Sequence, residues 1–224
     1  MNRLLVYFSL ILIIGFTSLA VSAQTSSAVD DTDLQSWDDI SLTVAINKKV
    51  DLYFPVTFRF DENLSRLHEG RAGAGVVLKP SKSFAVTPFY TFIRFRNAAG
   101  LFQTENRLTL RGVYRFPTKK FGLSHRTQFE YRNRSTGNLW RVRLSLTAEK
   151  ELPEKIAPGL KVFVTEEPFY ESASKRFSKN RLSFGINKAI NKKFSLDLYY
   201  LRQDDTFGHP GLIHVIGTAW KIKL

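Results

Sequence analysis

Arginine and glutamate recur at two-residue intervals along this chain, the spacing that gives one face of a β-strand a row of charge. Arg107, Arg111 and Arg115 interleave with Leu108, Leu110 and Tyr114, while Arg141 and Arg143 interleave with Trp140, Val142 and Leu144. Guanidinium groups placed this way can do two kinds of chemistry. They can grip carboxylates with forked, bidentate contacts, or offer positive charge to an anionic solute in a narrow passage. The candidate charge network is Arg94, Arg107, Arg111, Arg126, Glu130, Arg132, Arg141, Arg143, Glu149 and Glu167. Arg107 or Arg111 with Glu130, and Arg126 with Glu149, are the pairs expected to meet across adjacent strands. A basic constriction and a closed packing ladder are both compatible with the pattern, and the sequence leaves that choice open.

Other chemistry is thinly represented. Of the four histidines, His68 and His209 fall in or beside connecting segments, and His125 and His214 fall on strands. Ser65 and Asp61 near His68, or Asp204 and Asp205 near His209, can be written as a triad, but composition supplies no mutual geometry. No catalytic residue is therefore assigned and the chain is not expected to be an enzyme. The alternative is an enzyme or ligand binder with its site in the outer loops around His68 and His209. Arg71-Ala-Gly-Ala-Gly75 lacks the lysine and following helix of a phosphate loop, and reads as a bulge or a close approach of two strands. Asp204-Asp205 and the acids before Ile40 lack the ligand spacing of a calcium cage, so no metal or cofactor is expected. The absence of cysteine excludes disulfides, thiol catalysis and thiolate metal sites.

These side chains must be positioned by strands. No sustained helical period follows the amino-terminal region; alternation of period two does, broken at regular intervals by turn chemistry. Eleven strand candidates run over 40–46, 50–60, 67–78, 84–96, 103–116 and 122–134, then 139–151, 160–170, 178–190, 194–203 and 212–223. One set of connections is short and basic, as in Asn47-Lys48-Lys49, Thr118-Lys119-Lys120 and Asn191-Lys192-Lys193. The other set, 61–66, 97–102, 135–138, 171–177 and 204–211, reads as longer and less regular. Short inner turns and longer outer loops are the habit of bacterial outer-membrane barrels.

The amino terminus points to export. Arg3 precedes an apolar run from Leu4 to Phe16, and Val21-Ser22-Ala23 fits a small-x-small cleavage site. The expected organisation is a cleavable signal peptide over 1–23, a flexible acidic leader over 24–39 and a barrel over 40–224. The formal charge of +13 often signals nucleic acid, but export makes that partner inappropriate.

Alternation alone does not say which face looks inward. A soluble barrel turns its apolar face in, whereas a membrane barrel turns it to lipid. The strand number and the density of arginine on the polar faces favour lipid. The last strand, with Leu212, Ile216, Trp220, Ile222 and Leu224 on one face, resembles an outer-membrane assembly signal. Trp37, Tyr53, Tyr90, Trp140 and Tyr199 are among the aromatics expected near strand ends, where interface girdles sit. The fold class expected is all-β, an up-and-down antiparallel transmembrane barrel. Twelve strands are preferred and ten are the alternative, because single-chain bacterial barrels have even numbers.

Several short motifs carry a resemblance that covers most of the chain after the signal. They are Trp37, Glu105-Asn106-Arg107, Arg132-x-Arg134, Trp140-Arg141-x-Arg143 and Glu166-Glu167-Pro168-Phe169. In these the chain resembles a family of bacterial outer-membrane β-barrels known only as a domain of unknown function. The resemblance implies location and fold and carries no activity or ligand. A protein of this kind would meet outer-membrane lipid and lipopolysaccharide and be inserted by the barrel-assembly machinery.

Overall fold

Alternation of apolar with polar or small residues, rich in β-branched and aromatic types, produces eleven strands in a meander among the described residues. The computed structural model describes residues 31–97 and 99–224. The strands are β1 (Thr32–Ala45), β2 (Val50–Asp61), β3 (Arg66–Leu78), β4 (Phe84–Arg96), β5 (Phe102–Phe116) and β6 (Gly122–Arg134). They continue with β7 (Gly137–Glu151), β8 (Leu160–Glu171), β9 (Arg176–Ala189), β10 (Phe194–Asp205) and β11 (Leu212–Lys223). Each pairs with the next, and β1 pairs with β11 to close the barrel. The shortest strands have 12 residues and the longest 15, more than the roughly ten that a tilted spanning strand needs.

Closure explains the strand number. All pairings are antiparallel except β1 with β11, which is parallel, with Thr32 opposite Leu212 and Thr43 opposite Lys223. In a meander of odd number the first and last strands point the same way, so the ring can close only through a parallel pair. The barrel therefore has eleven strands where twelve, or alternatively ten, were expected. Thr32–Asp39, assigned from the sequence to a flexible leader, form the first part of β1. The signal peptide expected over 1–23 and the leader up to residue 30 lie outside the described residues.

The connections also differ from expectation. At one end they span 46–49, 79–83, 117–121, 152–159 and 190–193; at the other they span 62–65, 97–101, 135–136, 172–175 and 206–211. The second set is not longer, because the strands run on into tight turns: Ser65 N–H donates to Asp61 O at 3.1 Å, and Lys175 N–H to Glu171 O at 2.9 Å. Charge distinguishes the ends instead. Lys48, Lys49, Lys82, Lys119, Lys120, Lys192 and Lys193 are all exposed in the first set.

The two faces of the wall are inverted relative to a water-soluble protein, whose buried side chains are mostly apolar. Phe54, Phe58, Leu108, Leu110, Val164, Phe184 and Ile216 are exposed, while Glu69, Glu105, Arg107, Glu130, Arg141, Glu167 and Arg181 are buried. One apolar cluster does lie inside: Trp37, Leu201, Ile213 and Val215, with Tyr199 packed against it. Tyr199 needs its neighbours to be small. Its register partners are Gly185 and Gly217, and a Cβ on either would overlap it.

Candidate functional site

The interior charges are built from β5 to β9, whose inward positions alternate arginine, glutamate and small polar residues. Glu105 accepts from Arg107 Nη2 at 2.5 Å and from Arg132 Nη2 at 2.9 Å, and Arg134 also donates to it. Glu130 accepts from Arg141 Nη2 at 2.5 Å and Arg143 Nη1 at 3.1 Å, with Arg107 Nη1 at 3.4 Å. Glu167 accepts from Arg126 Nη2 at 2.6 Å and Arg143 Nη2 at 2.7 Å, with Arg181 Nη1 at 3.8 Å. Shared in this way, the three carboxylates link Arg107, Arg126, Arg132, Arg141, Arg143 and Arg181 into one chain of charge-assisted contacts.

Two aromatic rings complete the assembly. Phe169, fully buried, has the guanidinium carbons of Arg141, Arg143 and Arg181 at 5.2, 4.8 and 4.6 Å from its centroid. Trp37 holds Arg59 at 3.8 Å and Arg181 at 4.5 Å. Such contacts stabilise cations that would otherwise be poorly solvated. Register shifts fall beside Arg59 on β2 and Phe169 on β8, and a bulge is a standard means of re-aiming a side chain. On β3, Glu69 ties two further arginines, with Arg71 Nη2 at 2.5 Å and Arg59 Nη1 at 3.4 Å.

Two cavities flank this assembly. The larger, about 630 Å³, extends toward the lysine-bearing turns; the smaller, about 210 Å³, lies toward the turn at 206–211. The residues common to both are Trp37, Arg59, Arg71, Arg107, Arg143 and Arg181. Lining both, these six form the septum where the two cavities meet.

Most expected residues of the network meet, with three departures. Arg94 is exposed on the outer face, where it and Arg96 stack on Phe102 at 4.5 and 4.0 Å. On β4 it shares parity with Tyr90 and Phe92, and the buried neighbour is Ile93. Arg126 pairs with Glu167 rather than Glu149, which meets Lys161 at 3.3 Å near the lysine-bearing end. Arg111 does not reach Glu130: its Nε donates to Gln128 Oε1 at 3.0 Å and its Nη1 to the Tyr53 hydroxyl at 3.4 Å. Glu69 and Arg71 were not counted in the expected network; Arg71 was read only as the start of the glycine-rich Arg71–Gly75 stretch. Their i, i+2 spacing on the polar parity of β3 was the available signal, masked by the glycines that follow. Those glycines mark a close approach, with Phe89 lying over Gly75.

Trp37 and Tyr199, expected in an interface girdle, are inside, as is Tyr53, which lines the larger cavity. The outer aromatics form a run across β6 to β9: Phe129 to Trp140 at 6.2 Å, Trp140 to Tyr170 at 5.6 Å, and Tyr170 to Phe177 at 5.6 Å. His214, on β11, shares the outward parity of Ile216, with its Nδ1 2.5 Å from the Tyr200 hydroxyl. His68 and His209 line the same smaller cavity, and His68 Nδ1 lies 3.0 Å from Asp61 Oδ2. Ser65 is not among the residues lining it. Among the described residues, no cluster of three or more histidines and acids could hold a metal ion.

The family model described as "Protein of unknown function (DUF2490)" matches residues 34–209. No curated protein sequence matches the chain. Among solved structures it is similar to an anion-selective porin from Comamonas acidovorans, at 16% identity and a TM-score of 0.37 over 77% of this chain and 55% of that one. It is also similar to the beta domain of the Bordetella autotransporter BrkA, at 12% identity and a TM-score of 0.45 over 79% and 82% of the two chains. The KdgM porin aligns at 10% identity and a TM-score of 0.44, over 78% of this chain and 92% of that one. This chain thus spans about half the length of the Comamonas porin.

Proposed function

This chain belongs to the family of proteins of unknown function DUF2490, and from that premise we propose that it is an integral outer-membrane barrel forming a narrow, anion-preferring passage. The single observation that carries the reading is the inverted wall, with Phe54, Leu108, Leu110 and Phe184 exposed outside and Glu105, Glu130, Arg107 and Arg141 buried inside. Exposed apolar surface of that extent is unfavourable in water at roughly 25 cal/mol per Å² and neutral or favourable in hydrocarbon. The amino-terminal sequence supports export, with Arg3 before an apolar run that ends at a small-x-small site.

The anion preference rests on the septum. Arg59, Arg71, Arg107, Arg143 and Arg181 project between the two cavities, and their carboxylate partners are fewer and shared. A narrow, low-dielectric passage concentrates the field of such an excess. The refolded barrel in planar bilayers should therefore pass current whose reversal potential in a salt gradient lies on the chloride side. Arg59→Gln and Arg181→Gln should move that potential toward zero. A cation-selective current would contradict the preference. A folded, inserted barrel passing no current would leave the septum as packing that holds the lumen shut.

A second reading has one observation in its favour, the convergence of His68 and His209 on the smaller cavity. On that reading the turns around it form a ligand or hydrolytic site. Hydrolysis of lipid or peptide lost on His68→Ala or His209→Ala would establish it.

A further inference from the structure

We propose that Arg111 and Arg126 form an oxyanion site in the larger cavity, fitted to a small carboxylate carried on a flat, apolar body. It rests on the barrel reading only for access, since a ligand must enter the lumen to reach it.

Both arginines line the cavity of about 630 Å³. Arg111 on β5 stands opposite Gln128, and Arg126 stands two residues along β6, opposite Val113. They are diagonal neighbours on one face, about 7–8 Å apart by sheet geometry. Two like charges so placed repel unless an acid lies between them. Among the described residues, Arg111 has no carboxylate partner; its contacts are Gln128, the Tyr53 hydroxyl, and the rings of Phe89 at 4.7 Å and Tyr53 at 5.5 Å. Arg126 has Glu167, but that carboxylate also serves Arg143 and Arg181. Its Nε is buried without a hydrogen-bond partner. A part-buried cation without a carboxylate partner is left uncompensated, and a bound carboxylate would supply that partner.

The neighbouring wall sets the ligand's shape. Tyr53 and Phe89 pack edge to face, with centroids 5.6 Å apart, and both line the cavity beside Arg111. A flat apolar body can lie against them while its carboxylate spans the two guanidinium forks. A tetrahedral oxyanion can use the forks but not the wall.

Calorimetric titration of the refolded chain at constant ionic strength tests this with benzoate, its neutral isostere benzamide, and inorganic phosphate. Benzoate should bind saturably, with benzamide and phosphate weaker by about tenfold or more, a difference equal to one decade in Kd. Arg111→Gln and Arg126→Gln should each weaken benzoate by about the same factor, with Arg111→Lys losing less. Arg111→Gln orphans no buried acid, so folding should survive, which a heat-dependent shift on a gel confirms. Benzamide or phosphate binding as tightly as benzoate, or folded Gln variants binding like the unaltered protein, would overturn the site. An anion-selective barrel that binds no benzoate keeps the passage and loses this site. A barrel that binds benzoate but passes no current keeps the site and loses the passage.

Discussion

Glu130 accepts from Arg141 and Arg143 and lies within 3.4 Å of Arg107, so neutralising it without changing its shape isolates its charge. Breaking a buried ion pair by removing one partner costs about 3–5 kcal/mol. Arg107, Arg141 and Arg143 keep Glu105, Glu171 and Glu167 respectively, which places Glu130→Gln near the lower end of that range. The matched control is Glu149→Gln, whose Lys161 pair has side chains 44% and 37% exposed and should contribute no more than about 1 kcal/mol. Urea unfolding of the lipid-inserted barrel, followed by tryptophan fluorescence, reads both; equal midpoint shifts would contradict the shared-carboxylate network. Parity made most of this network legible in advance, since Arg107, Glu130, Arg132, Arg141, Arg143 and Glu167 all sit on polar faces. The partners were less legible. Arg126 reaches from β6 past β7 to Glu167 on β8, and Arg111 on β5 reaches Tyr53 on β2. Alternation orders residues within a strand and between adjacent strands, but a narrow lumen brings distant strands together through its curvature. Arg94 misled because it shares parity with Phe92 on a strand whose charged residues gather at one end.

At the scale of elements, the seam between β1 and β11 is the feature the sequence concealed. Asp38 and Thr218 are opposite one another there, with the Thr218 hydroxyl donating to Asp38 at 2.7 Å, and Ser36 stands opposite Ile216. A parallel seam brings both pairs together; an antiparallel seam through the first pair would set Ser36 against Trp220 instead. The chain has no native cysteine, so engineered pairs report cleanly. Asp38→Cys with Thr218→Cys, and Ser36→Cys with Ile216→Cys, should each form a disulfide under mild oxidation, while Ser36→Cys with Trp220→Cys should not, given the Cα separation a disulfide demands. The reverse pattern would mean a different closure. Polarity hid the first half of β1 from the sequence reading, which began that strand at Ile40: Asp33, Asp38 and Asp39 resemble a solvated leader until β11 and β2 are present to pair with them. The tight turns at 62–65 and 172–175 were obscured for a related reason, since strand ends there are fixed by pairing rather than by composition.

At the scale of the molecule, two asymmetries coexist. Along the barrel, lysines crowd the turns at one end while arginines occupy the interior, consistent with the different demands of a solvated rim and of forked contacts in an enclosed space. Across the wall, most large apolar side chains point out while the glutamate–arginine network points in, and this second asymmetry carries the membrane reading. Leu110 and Arg111 are sequence neighbours on opposite faces, Leu110 being 52% exposed and Arg111 lining the larger cavity. Single nitroxide labels at these two positions, in the barrel reconstituted into bilayers, test that arrangement most directly through collision with oxygen and with a water-soluble nickel chelate. A label at 110 should collide strongly with oxygen and weakly with nickel, and a label at 111 should show no such preference for the hydrocarbon. Strong nickel access at 110, with an oxygen-rich, nickel-poor environment at 111, would contradict the account.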